Sequence, residues 1–268
     1  MFRNANILLI FFAFLLLSSF PPSINGSSET EDEKDFDYLE GSNKGPRYWG
    51  EIHPEWRACA HGNLQSPIDV LDHRVVASPR LGRLKKSYIP AHAVLKNRGH
   101  DIMLEWKGEA GSININGTSY HLKQCHWHSP SEHTFNGSRH QLELHLVHES
   151  ADGGITVVAI TYKYGRPDSF LQKLMPFIKP IEGEEENVGI VSPKDIKLGS
   201  RKYYRYIGSL TVPPCTEGVI WSIVRKVRTV SKEQVRALRE AVHDGCEQNS
   251  RPVQLKENQT VWFYRPPV

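Results

Sequence analysis

Residues 124–150 read QCHWHSPSEHTFNGSRHQLELHLVHES, a run holding His126, His128, His133, His140, His145 and His148. Side chains alternate between the faces of a β-strand, so His126 and His128, two apart, point the same way. LELHLVH, residues 142–148, also has strand character and sets Glu143 and His145 on one face. The residues between are rich in Ser, Pro, Asn and Gly, as a connection should be. If the two strands pair antiparallel, His145 approaches His126 and His128. Three imidazoles from two strands suit a tetrahedral Zn2+ whose fourth position stays open, the arrangement of catalytic rather than structural sites. Two histidines at this spacing also occur as ordinary half-buried strand residues. The third histidine, with an acid two residues before it, separates this stretch from that reading, because metal-bound imidazoles usually give their second N–H to such an acceptor.

Working outward, the pattern stays that of a sheet. Period-two alternation marks strands near 94–97, 102–106, 112–115, 118–128, 141–148, 155–164, 203–210 and 218–227. Helices are predicted at 169–176, after an Asp168 cap, and at 232–242, between a Ser231 cap and Gly245. Many strands with few helices, and no alternating strand–helix units, indicate a mainly β fold rather than a doubly wound one. The 268 residues fit one large domain.

The N-terminus carries Arg3 and then an apolar run over 7–17, followed by small and turn residues, the pattern of a secretory signal peptide, expected to end near Gly26. The run is short of the ~20 residues of a membrane span, and no later segment reads as one. Residues 27–46 are polar and acidic and are expected to form a flexible lead-in, with the folded domain over 47–268. The formal charge is +3 and no basic stripe is visible in the sequence, which argues against a nucleic-acid partner. Cys59, Cys125, Cys215 and Cys246 remain after the signal, and four cysteines allow three complete pairings. Sequons at Asn116, Asn136 and Asn258 are candidate glycan sites on a secreted chain.

The central stretch resembles the metal-binding core of alpha-class carbonic anhydrases, in the HWHSPSEH wording of plant and bacterial members. Further matching segments follow in the family's order: YWG at 48–50, QSPID at 65–69, NRGH at 97–100, ELHLVH at 143–148, SLTVPPCTEGVIW at 209–221 and NSRPVQ at 249–254. The resemblance implies a single domain around a large, mainly antiparallel central sheet with peripheral helices. It implies reversible hydration of CO2 to bicarbonate and a proton, by attack of a zinc-bound hydroxide, with His126, His128 and His145 as ligands. Gln124 and Glu143 would accept from ligand imidazoles. Thr211 and Glu132 would orient the hydroxide, and His100 would shuttle the proton at the cavity mouth. Val147, Val157, Leu210, Val212, Val219 and Trp221 would join Thr211 in lining the CO2 pocket. A Cys59–Cys215 disulfide is implied as well. Two departures stand out: Glu51 follows Gly50 where animal members carry a pocket tyrosine, and Val212 stands where threonine is frequent. The secretory route predicts an extracellular protein; some plant members reach the chloroplast stroma by that route. The competing readings are a non-catalytic relative serving as a binding module or storage protein, and a cystine-linked structural protein. Neither requires the full histidine set.

Overall fold

The computed structural model describes residues 35–178, 185–242, 245–254 and 259–267. The expected signal peptide and Asn258 lie outside these. In chain order the described strands are β1 (Asp69–Val70), β2 (Val76–Ala77), β3 (Lys85–Lys86), β4 (Ala91–Asn97), β5 (Ile102–Lys107), β6 (Ser112–Ile115), β7 (Thr118–His128) and β8 (Thr134–Phe135). There follow β9 (Ser138–Arg139), β10 (Leu142–Ser150), β11 (Ile155–Tyr164), β12 (Glu185–Val191), β13 (Tyr203–Ser209), β14 (Glu217–Val224), β15 (Arg228–Val230) and β16 (Trp262–Tyr264). The helices are α1 (Trp49–Ile52), α2 (Ala58–His61), α3 (Ser169–Ile178) and α4 (Lys232–Ala241).

One large sheet dominates, in the order β12-β4-β5-β7-β10-β11-β14-β13-β16-β2, with β15 on β11 and β3 joined through β6 to β7. Most neighbours are antiparallel, as expected, but β11 runs parallel to both β14 and β15, and β16 runs parallel to β2. The sheet is therefore mixed. Parallel neighbours need a crossover between them; α3 lies in the chain between β11 and β14.

The middle of the sheet follows the strand period. On β10, Leu142, Leu144 and Leu146 join a large core on one face, with Cys125 and Trp127 of β7. Val147 belongs to a second core on the other face, with Val157, Leu210, Val219 and Trp221. Each apolar side chain buried this way contributes about 1.5–3 kcal/mol. Two polar contacts fix the helices. Asp168 Oδ1 accepts from the N–H groups of Phe170 and Leu171 at 3.0 Å each, capping α3. Ser231 and Gln234 form a capping box on α4, and Gln234 also exchanges hydrogen bonds with the backbone of Asp168. Helix α3 runs past the predicted stop at Pro176 to Ile178.

The acidic lead-in departs from expectation. From Asp35 it is packed against the domain: Phe36 is buried at 1% exposure, and Trp49 Nε1 donates to the carbonyls of Asp37 (3.2 Å) and Lys44 (3.0 Å). The ordered domain therefore begins at least twelve residues before the expected boundary. Composition concealed this because two aromatic residues, Phe36 and Tyr38, do the packing within an otherwise polar run.

Candidate metal centre

Strand pairing delivers the histidines. β10 pairs antiparallel with β7, placing His145 opposite His126 and Glu143 opposite His128. One nitrogen from each of His126, His128 and His145 falls in a group spanning no more than 4.8 Å, and all three residues are buried. The rings are held by their other nitrogens. His126 Nδ1 donates to Gln124 Oε1 at 2.8 Å, and His128 Nδ1 donates to the Asn249 carbonyl at 2.7 Å. His145 Nε2 donates to Glu143 Oε1 at 2.8 Å. These bonds leave Nε2 of His126, Nε2 of His128 and Nδ1 of His145 as donors toward the common centre.

The residues fit a zinc ion on one further observation. His128 Nε2 is buried and has no hydrogen-bond partner. Such an orphan costs about 1–3 kcal/mol unless something binds it, and a cation at the centre of the three rings would satisfy it. Three imidazoles are a donor set suited to Zn2+.

Glu143 supports more than one ring. Its Oε1 also accepts from His133 Nδ1 at 2.6 Å and its Oε2 from the His133 backbone N–H at 2.9 Å. The Tyr206 hydroxyl donates to His133 Nε2 at 2.7 Å, and Ser66 Oγ lies 2.7 Å from that hydroxyl. Burial opposes a charge on Glu143, yet His133 and His145 hold its carboxyl well below the usual range. His133 also belongs to a second group, with Glu143 and His145, of suitable spacing for a metal. Both its nitrogens are taken by hydrogen bonds, so it braces the site instead. Its Tyr206 partner lies on β13, and Ser66 of the QSPID segment stands behind that hydroxyl, both far off in sequence, so spacing could not find them.

Glu132 is wholly buried; its Oε1 accepts from the Arg251 N–H at 2.9 Å. Its Oε2 has no hydrogen-bond partner and lies 3.7 Å from His128 Nε2. Thr211 is buried between Leu210 and Val212, but its expected bond to Glu132 is not formed here. Val147, Val157, Leu210, Val219 and Trp221 share one apolar cluster, and the Trp221 ring lies 4.8 Å from that of His145. Val212 packs elsewhere, with Trp49, Trp56, Cys59 and Cys215.

His100 is not at an open cavity mouth. It is fully buried, its Nδ1 donates to the Arg98 carbonyl at 3.1 Å, and Phe36 covers it with ring centres 5.1 Å apart. Despite the Glu51 departure, a tyrosine of the lead-in lies within electrostatic range of Glu132. Glu51 is exposed on α1, whereas the packed lead-in inserts Tyr38, whose buried hydroxyl has no hydrogen-bond partner. Burial, then the charges of Glu132 and Asp101, push its pKa well up. Nothing in the polar, acidic composition of residues 27–46 marks Tyr38 as a packed side chain.

Cys59 and Cys215 form the disulfide, with Cα atoms 5.0 Å apart, joining α2 to the loop after Thr211. Cys125 and Cys246 are buried outside it. Asn116 is exposed in the β6–β7 turn. Asn136 is exposed as well, but its amide exchanges two 3.0 Å hydrogen bonds with Asp72. Among the described residues, no helix is long and apolar enough to cross a membrane.

Comparison with known proteins agrees with this geometry. The eukaryotic-type carbonic anhydrase family model matches residues 44–265. Alpha carbonic anhydrase 4 of Arabidopsis thaliana is 50% identical over 265 residues, 99% of each chain. The crystal structure of dioscorin complexed with ascorbate aligns at TM-score 0.84 and 45% identity, covering 85% of this chain and 97% of that one. The alpha-carbonic anhydrase of Thermovibrio ammonificans, in complex with the inhibitor sulfanilamide, aligns at TM-score 0.78 and 32% identity, covering 88% and 100%. With the match running through nearly the whole folded chain, the protein belongs to the alpha, or eukaryotic-type, carbonic anhydrase family.

Proposed function

We propose that this chain catalyses the reversible hydration of CO2 to bicarbonate and a proton, with Zn2+ held by His126, His128 and His145. The observation that carries the reading is the convergence of three buried imidazoles, each oriented by a hydrogen bond at its other nitrogen. When bound, Zn2+ supplies the Lewis acidity that lowers the pKa of a water to ~7. Neutral ligands leave its charge largely uncancelled, and Gln124, Glu143 and the Asn249 carbonyl keep each ring in the tautomer that permits ligation.

The other residues position reactants. CO2 has no charge and no net dipole, so it suits the apolar wall of Val147, Val157, Leu210, Val219 and Trp221. Glu132, with one oxygen tied to Arg251, has its second oxygen left to accept from the Thr211 hydroxyl. Thr211 would then accept a hydrogen bond from the attacking oxygen and aim its lone pair at carbon, a positioning effect. His100 is the proposed proton carrier, histidine being the side chain whose ordinary titration falls nearest neutral pH. Its cover by Phe36 means the proton leaves past that ring. An oxidising secretory route is supported by the Cys59–Cys215 disulfide. Asn116 is the better presented glycan site, because its turn is exposed and its side chain is not engaged as that of Asn136 is.

The test is metal content together with a CO2 hydration assay on purified protein. About one zinc per chain is expected, as for three-histidine catalytic sites. His145→Ala should lose most of the metal and the activity. Full retention of both by that variant would overturn the assignment.

A further inference from the structure

The sequence shows no basic stripe, but folding assembles a basic groove from two stretches far apart in the chain. Arg83 and Lys86, flanking and within β3, line a groove of about 930 Å³ together with Lys194, Lys197 and Arg201 from the segment between β12 and β13. The Tyr203 hydroxyl ties the two stretches, lying 3.3 and 3.1 Å from the carbonyls of Leu81 and Gly82. All five cationic residues are exposed. Among the described residues no carboxylate pairs with any of them, and nearby Asp195 is taken by Lys173 at 2.7 Å. Partial burial, and then the charge of Lys197, lower the pKa of Lys86.

The floor of the groove is apolar. Tyr88, Ile196 and Val224 line it and belong to the larger core, which packs the sheet face opposite the histidine cluster. His148, hydrogen-bonded through Nε2 to the Tyr88 hydroxyl at 2.8 Å, shares that face with Leu142, Leu144 and Leu146. The groove therefore lies behind the sheet, away from the candidate metal centre.

Five like charges around one concavity repel each other, and among the described residues no carboxylate pairs with them. A volume near the top of the ~300–1,000 Å³ range of small-molecule sites is far more than an inorganic anion needs. An inorganic ion would also leave the apolar floor wet. We propose that this groove binds a small organic polyanion: a ligand with an apolar body for the floor and two or more anionic groups for the cations on its rim.

The full-length folded protein would be titrated with 8-hydroxypyrene-1,3,6-trisulfonate, a planar apolar body with three sulfonates, by fluorescence and calorimetry. One site per chain is expected. Lys197→Glu combined with Arg201→Glu should weaken it about tenfold or more, since two attractive contacts become repulsive. Zinc content and CO2 hydration should not change. The neutral pair Lys197→Gln and Arg201→Gln, a milder perturbation of folding, should weaken binding less but in the same direction. Unaltered affinity in both pairs would overturn the proposal. Displacement by inorganic sulfate at the probe's own concentration would overturn it too, by showing that charge alone is bound. Tighter binding of a short DNA duplex, lost in the same variants, would replace the small ligand with a nucleic acid.

Discussion

His148 is predicted to make the fold sensitive to mild acid, and replacing it should remove that sensitivity. The ring is completely buried, stacked on Tyr88 with Nε2 2.8 Å from its hydroxyl. Burial pushes its pKa down to about 4. In the unfolded chain the value returns to ~6.5. The sign follows: the depressed folded value gives stability that is complete above pH 6.5 and is lost as pH falls toward 4, because only the unfolded chain takes up the proton. The full difference of ~2.5 pKa units corresponds to ~3.4 kcal/mol, of which ~2 kcal/mol is already lost at pH 5. His148→Gln removes the titration and keeps a group able to meet Tyr88. Urea unfolding of zinc-saturated protein at pH 7.5 and pH 5, followed by tryptophan fluorescence, compares the two chains. Groups common to both cancel in the difference. The parent should lose ~2 kcal/mol more than the variant between the two pH values, a midpoint shift of roughly 0.7–1 M urea if m is ~2–3 kcal/mol/M. Equal pH dependence in both would show that His148 titrates near its ordinary value in the native state, and the burial argument would fail.

Three further outcomes are expected. Replacing both Cys59 and Cys215 by serine opens a loop of sequence separation 156 and should cost at most ~5 kcal/mol; an unchanged denaturation midpoint would count against the bridge as a stabilising element. Thr211→Ala and Glu132→Gln should each slow CO2 hydration with zinc retained, and parent rates in both would remove the orienting role proposed for the pair. His100→Ala should slow hydration in weak buffer and recover much of the rate on addition of imidazole, a free proton carrier that titrates near neutral pH. No effect of that variant would assign the proton to another route.

The strands nearest the candidate site were the most legible part of the chain. β7 and β11 match their predicted limits: β7 alternates through its first half, and β11 is a long run rich in β-branched residues between Gly154 and Gly165. β12 carries no clear strand signal: its sequence EENVGIV opens with two acids and contains a glycine, and it lies at the edge of the sheet among the described residues. Within the site, histidine spacing located the imidazoles because the strand period fixes which face they share. The supports of those rings were illegible locally. His133 reaches Tyr206, and His128 reaches Asn249, through contacts that exist only after the sheet has closed. Tyr38 was hidden for a different reason, since hydrophobic periodicity cannot register two aromatic anchors in an acidic segment. The groove cations escaped because residues 83–86 and 194–201 are neighbours in space alone.

Asn249 bears on when the centre can exist during synthesis. Its carbonyl holds His128, its side chain donates to the carbonyls of His100 and Trp127, and its neighbour Arg251 gives its N–H to Glu132. All three imidazoles have been translated about a hundred residues before Asn249, a delay of roughly 5–20 s at ordinary elongation rates. Through that interval the nascent chain carries the complete histidine set without the group that orients one of its rings. Tight metal capture should therefore follow release of a nearly complete polypeptide. A ribosome-stalled chain ending before residue 249 should hold zinc weakly, although every imidazole donor is present.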